Sequence, residues 1–507
     1  MARQTTTFEL MLPPRDRRTP AYRWLYDALR AEILEGRLRP GARLPGTRDL
    51  AEQYGLSRGT IVNAFEQLKS EGYVDGSVGS GTYVSRVLPD DLLKAARHVP
   101  AQTPAHRAPK RRVAAYAARL PAAMTLDLRR PRAFRTDLPA MDLFPTTLWT
   151  QIATRRLRRL SVSQLLGTEP LGYPPLRGAI AEYLTASRGV KCDAGQIAVI
   201  SGVQDALDLA ARLLLDPGDR VCMEDPGYQF AADVFESVGA KVCAVPLDEQ
   251  GMILPRLRNV RLVYTTPAHQ FPLGTTMTIA RRLELLEWAR NSGALIFEDD
   301  YDSEYRYSGR PVPSLQGLDA GGHVLFFGSF SKVLFPSLRL GYLVIPPDLV
   351  PRFEAAISLT RRHAPLLDQA VLCDFIAAGH FARHLRRMRQ IYAERLSVLL
   401  DSARERLAGL LEISGIEAGL QTTGWLRDGL DGESAARAAA VRDVSVTPLS
   451  RYTRGSLARE GLQLGFAAVD AREIRRGVRE LAIALESCGH VVTRSRSHAV
   501  ERRCPDG

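Results

Sequence analysis

The sequence lacks paired cysteines. Its six, Cys192, Cys222, Cys243, Cys373, Cys488 and Cys504, are scattered through 507 residues. No spacing among them matches a disulfide framework or a zinc ribbon, and scattered thiols fit a reducing cytoplasm. The chain also lacks any run near the ~18 uninterrupted apolar residues of a membrane span. Its start, MARQTTTFELMLPPRDRR, has no apolar signal core, so neither a secretory leader nor a membrane partner is expected. No internal repeat is visible. Acidic residues are in deficit, 56 against 68 Lys and Arg, for a formal charge of +12.

That excess is unevenly placed. Residues 1–86 hold 13 basic and 10 acidic side chains, residues 87–136 hold 11 and 3, and residues 487–507 hold 4 and 2. The remainder is nearly neutral, so the chain expects a polyanion near its N-terminal half. Organisation follows the same divisions. Residues 19–86 read as a compact module. Residues 87–125, rich in Ala, Pro and Arg, read as a basic flexible linker. Residues 126–486 form a large domain, and 487–507 read as a disordered tail. Within the large domain the apolar runs QIAVIS, RVCMED, KVCAVP, RLVYTTP, ALIFEDD and HVLFFGSFS alternate with amphipathic stretches such as DALDLAARLLL. This alternation predicts an α/β fold with a mostly parallel sheet covered by helices, followed by a smaller C-terminal α+β subdomain.

The N-terminal module reads as two helices joined by a tight turn. In LPGTRDLAEQYGLSRGTIVNAFEQLKSEGYV, Leu50, Ala51 and Tyr54 give the first an apolar face, and Gly55 permits the turn. Ser57 suits the cap of the second helix. Ile61, Val62, Phe65 and Leu68 face the core, leaving Arg58, Gly59, Thr60 and Asn63 on the other side near the helix start. A second helix entering the major groove by that end is the helix-turn-helix arrangement. The following YVDGSVGSGTYVS predicts a hairpin wing, with Gly79 and Gly81 allowing close approach to phosphates and Arg43 and Arg48 supplying phosphate or guanine contacts. The segment PGARLPGTRDLAEQYGLSRGTIVNAFEQLKSEGYVDGSVGSGTYV resembles the GntR winged-helix family, and the partner this implies is a double-stranded DNA operator.

The strongest chemical pattern in the large domain is FFGSFSKVLFPSLRLGY. Lys332 follows a buried strand, where an unpaired ammonium is costly unless it is used, and it can form a Schiff base with an aldehyde cofactor. Ser329, Ser331 and Arg339 suit that cofactor's phosphate. In IAVISGVQDALDLAARLL a glycine marks a strand-to-helix junction, so the amides of Val203 and Gln204 open onto a phosphate. Asp299, at the strand end in ALIFEDDYDSEYRY, can face a pyridine nitrogen and keep it protonated, with Tyr301 reaching the phenolic oxygen. Tyr228 in EDPGYQF can stack on the ring. Together these residues point to pyridoxal 5'-phosphate, and no metal ligand set is expected.

These motifs, with LGYPPLRGAIAEYLTASRGVKC, TPAHQFPLG and LQLGFA, resemble the fold type I aminotransferases. Joined to a GntR-type module, the whole resembles the MocR/GabR family of transcriptional regulators. The resemblance implies pyridoxal phosphate held as an internal aldimine on Lys332, a head-to-tail, domain-swapped homodimer, and a small amine, amino acid or vitamer effector that changes DNA binding. Several positions depart from an active aminotransferase. Phe271 stands where such enzymes carry the asparagine of N-P-x-G, leaving His269 or Tyr301 to meet the phenolic oxygen. Gln463 stands where they carry the arginine that grips the substrate carboxylate, with Arg451, Arg454 and Arg459 as candidate replacements, and Gly167 replaces a tyrosine. Three readings follow. The chain is a regulator sensing through a cofactor, a working aminotransferase with an accessory DNA-binding module, or a regulator with a cofactor-free dimerisation scaffold. Lys332 argues against the last and Gln463 against the second.

Overall fold

The computed structural model describes residues 12–15, 19–77, 81–88, 111–123, 127–309, 312–413 and 415–500, with side chains to 488. It divides into two compact units, parted between Arg111 and Arg112, each described by itself. Gly79, Lys110 and residues 501–507 lie outside the described residues.

The first unit holds helices α1 (Ala21–Leu34), α2 (Thr47–Tyr54) and α3 (Arg58–Ser70) and strands β1 (Val74–Ser77) and β2 (Gly81–Val84). Leu25, Leu29 and Ile33 recur every four residues on α1 and meet Ile61, Ala64, Phe65 and Leu68 of α3 in one core with Leu50. Burying each such side chain contributes about 1.5–3 kcal/mol. Gly55 ends α2 with φ 61°, the left-handed conformation in which glycine escapes a Cβ clash. The wing is an antiparallel pair with Val74 opposite Val84 and Ser77 opposite Gly81.

The second unit is built on an eight-stranded sheet. Its strands are β3 (Ile197–Ile200), β4 (Arg220–Asp225), β5 (Lys241–Asp248), β6 (Gly251–Met252), β7 (Val260–Thr265), β8 (Leu295–Asp300), β9 (Val324–Ser329) and β10 (Gly341–Val344). They lie in the order β3-β10-β9-β8-β7-β4-β5-β6. β9, β8, β7, β4 and β5 are parallel, while β10 runs antiparallel to both its neighbours and β6 folds back on β5. Side chains alternate across the sheet, so β9 serves two cores. Leu325 and Phe327 pack with Leu207 and Ala210 of the helix Val203–Leu214. Phe326 packs with Leu176, Ile180 and Leu184 of the helix Pro174–Arg188. Strands covered on both faces read as continuous apolar runs, which is why the sequence pattern located them.

A smaller antiparallel sheet follows, with β11 (Leu411–Ile413), β12 (Gln421–Leu426), β13 (Thr447–Pro448) and β14 (Gly461–Gly465) in the order β11-β12-β14-β13. A bridge between Phe134 and Gly465 lays residues 134–137 beside β14.

Two boundaries differ from the sequence expectation. The last helix runs Ala471–Val500, past residue 486 where a disordered tail was expected to begin. The expected flexible linker 87–125 contains the helix Ala115–Arg119, and this piece is docked. The Arg212 guanidinium lies 4.8 Å from the Tyr116 ring centre, and Arg119 Nε donates to the Ser237 carbonyl at 2.9 Å. An Ala- and Arg-rich stretch has no apolar period, and its contacts come from one aromatic and one guanidinium.

Candidate cofactor site and nucleic-acid interface

The sheet brings four chain segments together at the carboxyl ends of its parallel strands, where open α/β sheets bind ligands. After β3, Gly202 adopts φ 120° and caps the helix Val203–Leu214, whose first amides, including those of Val203 and Gln204, have no carbonyl a turn earlier. A Cβ on Gly202 would lie 3.5 Å from the Arg339 guanidinium. A helix start and a cation therefore face each other across a residue with no side chain, a cradle suited to a phosphate. At the end of β9 the Ser331 amide donates to Ser329 Oγ at 3.2 Å, and the Ser331 hydroxyl is buried without a partner.

Asp299 ends β8 almost fully buried. Its Oδ2 accepts a hydrogen bond from the Tyr264 hydroxyl at 2.6 Å, while Oδ1 is buried and unpartnered. Burial pushes this carboxyl up to about 7, against the Tyr264 hydrogen bond and the charge of Lys332, which lower it. An orphaned carboxylate oxygen at such a depth suits a protonated ring nitrogen. Tyr228 receives a hydrogen bond from Gln204 Nε2 at 3.1 Å and packs edge-on to Phe271. The Tyr301 hydroxyl and Asp302 Oδ1 both meet His269 Nδ1, at 3.1 and 2.9 Å. The two alternatives for the phenolic oxygen are thus one linked unit, held by Asp302, whose Oδ2 also accepts from the Leu420 amide at 3.0 Å.

Lys332 lies just past β9, and its Nζ donates to Asp137 Oδ1 at 2.7 Å and to the Asp137 carbonyl at 3.0 Å. Among the sequence-predicted residues, Gln204 meets Tyr228, Tyr301 meets His269, and the charge of Lys332 reaches Asp299. Asp137, Tyr264, Asp302 and Tyr452 were not anticipated. Asp137 is 195 positions from its lysine and carries no local motif. Tyr264 and Asp302 could have been found, since each lies beside a strand end already singled out.

Gln463 on β14 is fully buried. Its Oε1 accepts from the Tyr452 hydroxyl at 2.8 Å, and its Nε2 has no partner. The three arginines named as candidate replacements for the missing cation are each engaged by a carboxylate, Arg451 by Glu433, Arg454 by Glu236 and Arg459 by Glu412. None of these three candidates is therefore left with a free guanidinium.

In the first unit, Ser57 Oγ caps α3 by accepting from the Thr60 amide at 3.1 Å and lies 2.8 Å from the Thr60 hydroxyl. Arg58, at the first helical position, is exposed, as are Arg48 on α2 and Arg43. Arg43 bridges to Tyr83, and its guanidinium covers Gly81, where φ is 90° and a Cβ would fall 2.9 Å from Nε. The start of α3 and the wing thus present the cations expected of a duplex contact.

Comparison with known proteins divides along the same line. Residues 21–84 match the family of bacterial regulatory proteins, gntR family, and residues 149–481 match aminotransferase class I and II. A probable rhizopine catabolism regulatory protein, MocR, of Rhizobium meliloti is 42% identical over 98% of this chain and 100% of its own. The HTH-type transcriptional regulator YhdI of Bacillus subtilis is 35% identical over 92% of this chain and 96% of its own. Among solved structures, kynurenine aminotransferase of Pyrococcus horikoshii, in complex with PMP, matches with TM-score 0.66 at 28% identity, covering 71% of this chain and 92% of that one.

Proposed function

We infer the function from the family to which this chain belongs, the MocR-type transcriptional regulators, in which a gntR-family winged helix is joined to an aminotransferase class I and II domain. The protein is a DNA-binding transcriptional regulator with an aminotransferase-fold domain. In our reading that domain binds pyridoxal 5'-phosphate and uses it to sense a small amine, from the bacterial cytoplasm and as a domain-swapped homodimer. The observation that carries this reading is the buried, unpartnered Asp299 Oδ1, on a carboxyl that feels the charge of Lys332.

Each residue has a part. Arg339 and the amides of Val203 and Gln204 would hold the phosphate, with Ser329 and Ser331 as further donors. Tyr228 would pack on the ring, Asp299 would keep the ring nitrogen protonated, and Tyr301, steadied by His269, would donate to the phenolic oxygen. Lys332 would hold the aldehyde carbon, and the group would supply an electrophile that amines can capture. The loss of arginine at Gln463 favours sensing over turnover. We expect borohydride reduction of the cofactor-loaded protein to label Lys332 alone on peptide mapping, and Lys332→Ala to lose the label while keeping the fold. A label on any other lysine contradicts the assignment.

A further inference from the structure

The surroundings of Lys332 carry a statement about which amine is sensed. We propose, resting on the cofactor reading above, that the chamber selects amines that bear no carboxylate, and that Asp137 imposes this choice.

Asp137 is held in place from several sides. Its amide donates to Gln421 Oε1 at 3.0 Å, and it adopts φ 69°, which aspartate tolerates better than most residues. The segment before it is clamped to β14, since a Cβ on Gly465 would fall 2.1 Å from the Arg135 carbonyl oxygen. The backbone so fixed keeps the Asp137 carboxylate beside Lys332, although 42% of that side chain is exposed. Its charge also reaches the Tyr228, Tyr301 and Tyr452 hydroxyls, all pushed up by burial first and by Asp137 among the charges.

The ion pair with Lys332 changes meaning once Lys332 is engaged by the cofactor. The lysine then no longer offers Asp137 a free ammonium, and the carboxylate is left facing whatever amine approaches. A ligand carboxylate entering here would meet like charge. The position that would repay it holds Gln463, a neutral amide, and Arg451, Arg454 and Arg459 are engaged by glutamates. A neutral or cationic ligand meets the reverse. An ammonium is attracted to Asp137, and a hydroxyl oxygen can accept from the buried, unpartnered Nε2 groups of Gln463 and Gln421. Two like charges ~5 Å apart at an effective dielectric near 20 repel by enough to discriminate well over tenfold.

The test uses three probes with the same four-carbon chain, butane-1,4-diamine, 4-aminobutan-1-ol and 4-aminobutanoate. Each is titrated into cofactor-loaded protein, reading the visible absorption band and, separately, the heat of binding. The diamine and the amino alcohol should bind at least about tenfold more tightly than the amino acid. Asp137→Asn should shrink that ratio to within about threefold, and Asp137→Glu, which keeps the charge, should preserve the preference. The proposal is overturned if 4-aminobutanoate binds as tightly as the others, if the ratio survives in Asp137→Asn, or if no probe perturbs either signal. In those outcomes the cofactor band of the ligand-free protein is still present. A parent protein that never acquires the band overturns the cofactor reading and this proposal together, and the first spectrum tells the two failures apart.

Discussion

At the scale of the residue, Asp299 is one of three buried carboxyls, with Glu298 and Glu304, that burial pushes up to about 7. Its folded value of about 7 stands above the ~3.9 of an unfolded aspartate. A raised folded value means the folded state favours the proton. The stabilisation is complete below about pH 4 and is lost as pH rises through about 7, where the buried carboxyl must ionise. In cofactor-free protein at pH 8, Asp299→Asn should therefore be more stable than the parent by roughly 1–3 kcal/mol. The amide still accepts from Tyr264, and the difference should fade towards pH 4. Thermal melts across pH check this, and a difference independent of pH contradicts it. Adding cofactor should stabilise the parent more than the variant, because only a carboxylate pairs with a protonated ring nitrogen. Asp299 and Lys332 were legible because each lies at or just past the end of an apolar strand, where a charged group is costly. Asp137 was not, because its meaning arises only when the bridge at Gly465 lays a remote loop beside the lysine.

At the scale of the element, the DNA-binding module was nearly all legible because its signals are local. A glycine turn, a serine cap and helical spacing each act within a few residues, and Ser57 caps α3 as its type predicts. The small helix Ala115–Arg119 was illegible because what fixes it, Arg212 and the Ser237 carbonyl, lies about a hundred residues on. The cations of the module should separate by position. Arg58 opens α3, so Arg58→Ala should relax base preference in one half-site by about 1–3 kcal/mol. Arg48 lies on α2, so Arg48→Ala should weaken binding to all sequences alike and reduce the slope of log K against log salt by about 1. Equal losses on cognate and scrambled duplexes for both variants would remove Arg58 from the groove.

At the scale of the whole molecule, the +12 charge is less of a polycation than its count implies. The densest excess, residues 87–136, includes four arginines that the second unit already uses. Arg119 donates to the Ser237 carbonyl, Arg129 pairs with Asp127, Arg132 with Asp443, and Arg135 donates to the Arg129 carbonyl. Arg111 and Arg112, at the junction of the two units, are exposed instead. A guanidinium with a protein partner releases few counterions on meeting a phosphate, whereas an exposed one releases its own. Replacing Arg111 and Arg112 by serine, with Lys110 beside them in sequence, should therefore flatten the salt dependence of operator binding by about 2–3 in slope while leaving half-site preference intact. Arg132→Ser should leave that slope unchanged and act on the second unit alone, where it strands Asp443. Operator affinities over a salt series separate the two. An unchanged slope in the triple variant would reduce the junction to a tether, and a fall in slope for Arg132→Ser would mean that the paired arginines also reach DNA.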